Sequence, residues 1–404
     1  MRRSGAIVIS VLLISTFTLA QGRGRGQGQA QEPRYFPAKG AWEQVDPASV
    51  GMRKAALDDA VAYHLANQNQ NTKNLAEDIV NTFRNETPYN TLIGPTQERT
   101  GANGVIVRRG RVVAAWGDTD RADMTFSVTK TFLSTVVGVA HDRGLIPDLH
   151  ARVATAMPPG VDLFTSEHNA KITWDHLLRQ TSSWHGELWT KPTWADRPPR
   201  GVPVDEWPKQ PVPEPGTVYK YNDTRVNVLA LAALHVFKQE LPAVLKEAVM
   251  DPIGASDTWH WEAYDNAVVT IDGKKMRSVT GGGHFGGGMF ISAWDLARFG
   301  YLFANYGSWG GKPLISAKWI DMARTPGVNR TYGFMNWFLN TPSPRANGTP
   351  SAPLPSAPRS SVTFRGNGQN IIYVDWDNDL VVVVRWFSGN LDQFFRRVLA
   401  AIED

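Results

Sequence analysis

Ser127 and Lys130 stand three residues apart in Phe126-Ser127-Val128-Thr129-Lys130. On a helix that spacing puts both side chains on one face, close enough to touch. A serine hydroxyl is a poor nucleophile at neutral pH and needs a base. A lysine can serve when burial disfavours its ammonium form. Thr131-Phe132-Leu133 follow, so the wall around Lys130 is apolar, and a lysine facing an apolar bundle is costly unless it is paired or neutral. A helix that begins near Ser127 also favours developing negative charge there. The chemistry implied is acyl transfer, with attack on an ester or amide carbonyl and release of a covalent acyl-enzyme by water. Taken alone, Ser-x-x-Lys is also the pattern of a helix-start serine cap with a lysine in solvent.

The elements that must position these groups are legible in outline. Phe126 to Asp142 is nearly continuous in apolar residues and closes at Gly144, which predicts a buried helix. Gly104 to Trp116 reads as a hairpin turning at Arg109-Gly110, and Ala48 to Leu65 as a helix with Leu57, Val61 and Leu65 spaced by four. Further helices are predicted over Asn227 to Phe237, Trp294 to Asn305 and Asp392 to Ile402. Ile371 to Val374 and Leu380 to Trp386 read as paired strands around Asp377-Asn378. Strands and a helix thus come first, a helical and Pro-rich middle next, and strands and a helix last. That order predicts an α+β fold. Its antiparallel sheet comes from about 41–143 and 280–404, and a mostly helical insert occupies about 144–279.

Five blocks give the Ser-x-x-Lys pair a context. They are the Ser127 motif itself, Ile172 to Ser182, Pro215 to Asp223, Gly286 to Gly300, and Tyr373 to Val384. With them the chain resembles the serine β-lactamase and penicillin-binding superfamily, in its class C-like branch. Within that branch it is most similar to β-lactamase-related esterases and 6-aminohexanoate-dimer hydrolases. The resemblance implies a β-lactamase-like fold, a serine nucleophile at Ser127, and Lys130 and Tyr221 as its proton-handling partners. Two departures stand out. Asp223 occupies the place where the Tyr-x-Asn motif has an amide, and a carboxylate there stabilises the Lys130 ammonium and makes it a poorer base. The proton-accepting role then shifts toward Tyr221, with Tyr219 a lesser candidate. In place of Lys-Thr-Gly stands Arg365-Gly366-Asn367-Gly368-Gln369. Its residues Gly366, Asn367, Gly368 and Gln369 are the candidates for a strand edge that offers an N–H to the oxyanion. Arg365 could take a substrate carboxylate through two parallel bonds. The missing lysine argues against efficient penicillin hydrolysis.

Trp184, Trp189, Trp194 and Trp207 crowd a Pro-rich stretch whose wording resembles the aminohexanoate-dimer hydrolase branch. The expectation is that Trp184, Trp189 and Trp194 wall an apolar substrate pocket, or else pin a long loop to the body. His284, among glycines, could line the cleft or be structural. Ser308 lacks the first glycine of a nucleophile elbow, and no His-Glu-x-x-His or phosphate loop occurs. No metal and no cofactor is expected, and the expected ligand is a small ester or amide.

The 404 residues carry a formal net charge of +4 and no cysteine, which removes disulfides and gives no argument for nucleic acid. Arg2-Arg3, an apolar run from Ala6 to Ile14 and Thr18-Leu19-Ala20 predict a signal peptide over 1–20. A Gly/Arg/Gln-rich linker over 21–40 follows, then one hydrolase domain over 41–404. The expected location is the periplasm or the medium, with no membrane span after cleavage. The sequence reading is therefore an exported serine hydrolase, an esterase or amidase. Its rivals are a D-Ala-D-Ala-type peptidase or β-lactamase, and a non-catalytic binding protein on the same fold.

Overall fold

Both ends of the chain build the main sheet. In the computed structural model, which describes residue 1, residues 34–344 and residues 349–403, the strands lie in the order Val362–Gly366, Asn370–Asp375, Leu380–Arg385, Asn103–Arg108, Arg111–Trp116. Every neighbouring pair is antiparallel, with Ile106 opposite Val382 at the centre. The apolar run Val381-Val382-Val383-Val384 is unbroken because both faces are covered. Val381 and Val383 join a core with Phe132, Phe299 and Leu302, and Val382 and Val384 join a second core with Leu57, Phe394 and Val398. The alternation is that of a strand, and the helices on its two faces remove the need for polar positions.

The signal peptide expected over 1–20 lies outside the described residues, as does most of the linker expected over 21–40. Residues 35–40 do not behave as linker. The buried Arg298 guanidinium donates to the carbonyls of Pro37 and Ala38, and the Tyr301 hydroxyl donates to the Tyr35 carbonyl.

The insert is less helical than expected. His260–Ile271 and Lys274–Val279 form a hairpin in a second sheet, ordered Asp123–Met124, Gly288–Ile291, His260–Ile271, Lys274–Val279. The turn signal was present as Asp272-Gly273. Both residues adopt positive φ, 49° and 77°, as a two-residue hairpin turn requires. The buried Arg385 ties the two sheets together, donating to the Ile291 and Met124 carbonyls at 2.7 and 2.9 Å. Among the described residues no single helix is long and apolar enough to cross a membrane.

Candidate active site

The nucleophile motif sits where the two sheets meet. Phe126–Val128 forms a short 3-10 turn that runs into the helix Thr129–Asp142, whose residues Thr129 to Ala140 are all buried. Phe126 holds φ at 49°, a conformation that costs a bulky residue on the order of 1–3 kcal/mol. The turn is clamped by the strand Gly288–Ile291. Thr125 N donates to the Met289 carbonyl at 2.9 Å, and Met289 N donates to Thr129 Oγ1 at 3.0 Å. Lys130 Nζ then donates to Ser127 Oγ at 2.8 Å, as the spacing of three predicts.

Tyr221 arrives from the middle of the chain. Gln180 holds it from both sides, since Lys220 N donates to the Gln180 carbonyl at 3.0 Å and Asn222 N donates to its side-chain oxygen at 2.7 Å. The Tyr221 ring stacks on Trp337 at 5.7 Å, and Lys130 Nζ and the Arg197 guanidinium each lie 4.9 Å from its centre. Tyr219 packs on Tyr332 and Trp337 instead, its hydroxyl buried without a partner.

Asp223 is the first residue of the helix Asp223–Phe237, with Asn222 as its side-chain cap. One carboxylate oxygen receives Lys130 Nζ at 2.5 Å. The other receives Arg197 at 2.7 Å and faces His284 Nδ1 at 3.2 Å. Burial alone would raise the Asp223 pKa, but Lys130 and Arg197, with His284, hold it well below the ordinary carboxylate range.

His284 belongs to this network. Its Nε2 faces Glu86 Oε2 at 2.7 Å while Nδ1 faces Asp223. A ring between two carboxylates must donate from both nitrogens, which makes it an imidazolium. Burial and Arg197 oppose that charge, but Asp196 and the bonds to Asp223 and Glu86 outweigh them and raise its pKa. Asp196 completes the set, accepting from Arg197 at 2.6 Å and from the backbone N–H groups of Asp223 and Thr224.

A raised histidine pKa stabilises the fold fully below the unfolded value of about 6.5. That contribution is lost as pH rises through the higher folded value. The melting temperature of the wild type is therefore expected to fall as pH is raised from 6 toward 9. His284→Gln is expected to melt lower at pH 6 and to flatten that slope, as a thermal series across the range would read.

Glu86, Asp196 and His284 have ligand atoms within 4.8 Å of one another. Arg197 sits in the same group, its guanidinium bonded to Asp196 and its backbone N–H donating to Glu86 at 3.1 Å. A guanidinium in that position supplies the positive charge a metal would bring, so the donor set fits a salt-bridge network better than an ion.

Gly282 explains how the Lys130–Asp223 pair can close. A Cβ at that position would collide with both Asp223 Oδ1 and Lys130 Nζ. Gly282→Ala is expected to displace the pair and lower kcat/KM about 100-fold while the protein still folds, to be checked by ester turnover alongside circular dichroism.

These groups open on a cleft of about 240 Å³, lined among others by Phe83, Ser127, Tyr221, Trp337, Arg365 and Asn367. Gly366 ends the edge strand against the nucleophile, and a Cβ there would clash with the Thr125 carbonyl and come 3.2 Å from Ser127 N. Of the third-motif candidates, Gly366 and Asn367 line the cleft. Gly368 and Gln369 turn away, Gly368 onto the Trp386 ring and Gln369 onto the Gly389 carbonyl.

The tryptophan expectation needs correction. Trp184 is buried in the main core, its indole N–H on the Leu163 carbonyl at 2.6 Å. Trp189 packs against the cluster of Ala263, Tyr264 and Phe285. Trp194 and Trp207 line a different cavity of about 410 Å³. None of the four lines the Ser127 cleft.

The beta-lactamase family model matches residues 77–399. The chain belongs to the beta-lactamase family. A search of curated proteins found no match. Solved structures of similar fold include a protein assigned as a beta-lactamase from Bacteroides dorei DSM 17855. It is 14% identical with a TM-score of 0.52, and the match covers 80% of this chain and 97% of that one. A protein assigned as a 6-aminohexanoate-dimer hydrolase from Bacillus anthracis is 17% identical with a TM-score of 0.52, over 75% of this chain and 78% of that one. A family VIII carboxylesterase is 18% identical with a TM-score of 0.50, over 81% and 96%. At these identities the likeness is one of fold, and the beta-lactamase-family fold is α+β as the element order predicts.

Proposed function

We propose that this beta-lactamase-family protein is an exported serine hydrolase that cleaves a short ester or linear amide through an acyl-enzyme on Ser127. The observation that carries the reading is the convergence of Ser127, Lys130, Asp223 and Tyr221 from distant segments. Lys130, held by Asp223, donates to Ser127 Oγ. Tyr221, flanked by the cationic groups of Lys130 and Arg197, accepts the hydroxyl proton and returns it to the leaving group. The Ser127 and Asn367 N–H groups are assigned to the oxyanion. A cleft of about 240 Å³ is below the roughly 300–1,000 Å³ of drug-sized sites, which favours a small acyl group. Export rests on the N-terminal pattern of Arg2-Arg3, the apolar run and Thr18-Leu19-Ala20.

The test is a serine-directed phosphonate with intact-mass detection on wild type and Ser127→Ala. One adduct on wild type and none on the variant is expected. Labelling of neither protein would assign the fold to binding without turnover, and labelling of both would put the nucleophile elsewhere. A panel of a nitrophenyl ester, a linear amide dimer, a D-Ala-D-Ala peptide and a cephalosporin then separates the substrate classes.

A further inference from the structure

The cavity of about 410 Å³ lined by Trp194 and Trp207 is also lined by His185, Arg197, Lys220 and Arg225, and by no aspartate or glutamate. Trp207 is fixed by its indole N–H on the Val202 carbonyl at 2.9 Å, and Trp194 packs edge-on to Tyr89 at 4.8 Å. Arg225 is buried, its Nε donating to the Trp184 carbonyl at 3.0 Å. Among the described residues, Lys220 Nζ and the outer nitrogens of Arg225 donate to no protein group. The adjacent carboxylate, Asp196, is committed to Arg197 and to the backbone at Asp223 and Thr224.

Cations gathered beside apolar walls are costly, and Asp196, already engaged by Arg197, offsets only part of the burial of Arg225 and Lys220. The cost is visible in their basicity. Burial pushes Arg225 down to about 10, and burial with the neighbouring Arg225 lowers Lys220. A bound anion would relieve it, and the indole and proline walls select one with a hydrocarbon body over an inorganic ion.

We propose that this cavity binds an organic carboxylate, its charged end taken by Lys220 and Arg225 and its apolar body lying against Trp194 and Trp207. Arg197 lines both this cavity and the Ser127 cleft. The carboxylate is thus either the far end of a substrate held at Ser127 or a separate free acid. The substrate version rests on the serine-hydrolase reading, and the free-acid version does not.

Calorimetric titration of the intact protein with phenylacetate tests the site directly. Saturable binding is expected, at least tenfold weaker for phenylacetamide and for Lys220→Glu, and retained in Lys220→Arg. Equal affinity for acid and amide, binding unchanged in Lys220→Glu, or competition by inorganic phosphate at equal strength overturns the proposal. Nitrophenyl hydrogen adipate and nitrophenyl hexanoate then distinguish the sources. If Lys220→Ala raises KM for the charged ester about tenfold more than for the neutral one, the carboxylate belongs to the substrate. If both KM values move together while phenylacetate still binds the wild type, the site takes a free acid. Absence of any ester turnover closes the substrate version for esters and leaves the titration standing.

Discussion

Ser127→Ala is expected to lower kcat on a short-chain nitrophenyl ester by about 10⁴–10⁶-fold with little change in thermal midpoint. The hydroxyl is the acceptor of the Lys130 bond at 2.8 Å, but Lys130 keeps its pairing to Asp223 without it, so the fold loses little. Tyr221→Phe removes only the proton-handling oxygen and leaves the ring stacked on Trp337. It is expected to lower kcat by about 10²–10⁴-fold with KM nearly unchanged. Because the two groups act on one proton, the double variant should be no slower than Ser127→Ala alone. Steady-state kinetics on the three proteins reads this. A Ser127→Ala protein within tenfold of wild type would end the acyl-enzyme mechanism.

Asp223→Asn is expected to destabilise the protein by about 3–5 kcal/mol, the usual cost of breaking a buried ion pair by removing one partner. The carboxylate is shared by Lys130, Arg197 and His284; the amide leaves Arg197 and His284 to Asp196 and Glu86 and Lys130 without a carboxylate partner. The effect should appear in the urea midpoint at pH 7 and shrink in acid. Asp223 has a folded pKa far below the ordinary value, so its contribution is present above about pH 4 and is lost as pH falls through the lower folded pKa. Pairing Asp223→Asn with Lys130→Met should recover part of the loss, because neither member is then buried alone. Strict additivity of the two changes would show that the pair is not the source of the stability.

The parts read correctly from sequence are those that depend on local pattern. The spacing of Ser127 and Lys130 and the valine run at 381–384 each carry their meaning within a few residues. The resemblance located Tyr221 and Asp223, and the Asp223 carboxylate lies against Lys130 Nζ. The network around it was not legible, because Glu86, Asp196-Arg197, Asp223 and His284 come from four segments with no shared period. Glu86 carries no motif at all, and Arg197 lies in a Trp- and Pro-rich stretch that gives it no distinguishing signal. The glycines around His284 say nothing of its role, whereas its two carboxylate partners make it part of the electrostatic frame. The tryptophans misled for a related reason. Clustering in sequence says that aromatic surface is to be buried, but the positive φ at Trp189, Thr190 and Arg197 turns successive side chains toward different neighbours.

The edge strand Val362–Gly366 has one flank paired to Asn370–Asp375. On its other flank Trp337 already exchanges two backbone bonds with Thr363, both at 2.9 Å. By strand alternation the next outward-facing backbone position is Arg365, beside the nucleophile. Trp337 thus already occupies the pairing position that a strand laid along this margin would need at Thr363. If Ser127 is the nucleophile, as proposed, an extended substrate laid along this margin finds backbone pairing at Arg365 but not at Thr363, so lengthening it past that residue is expected to add little affinity.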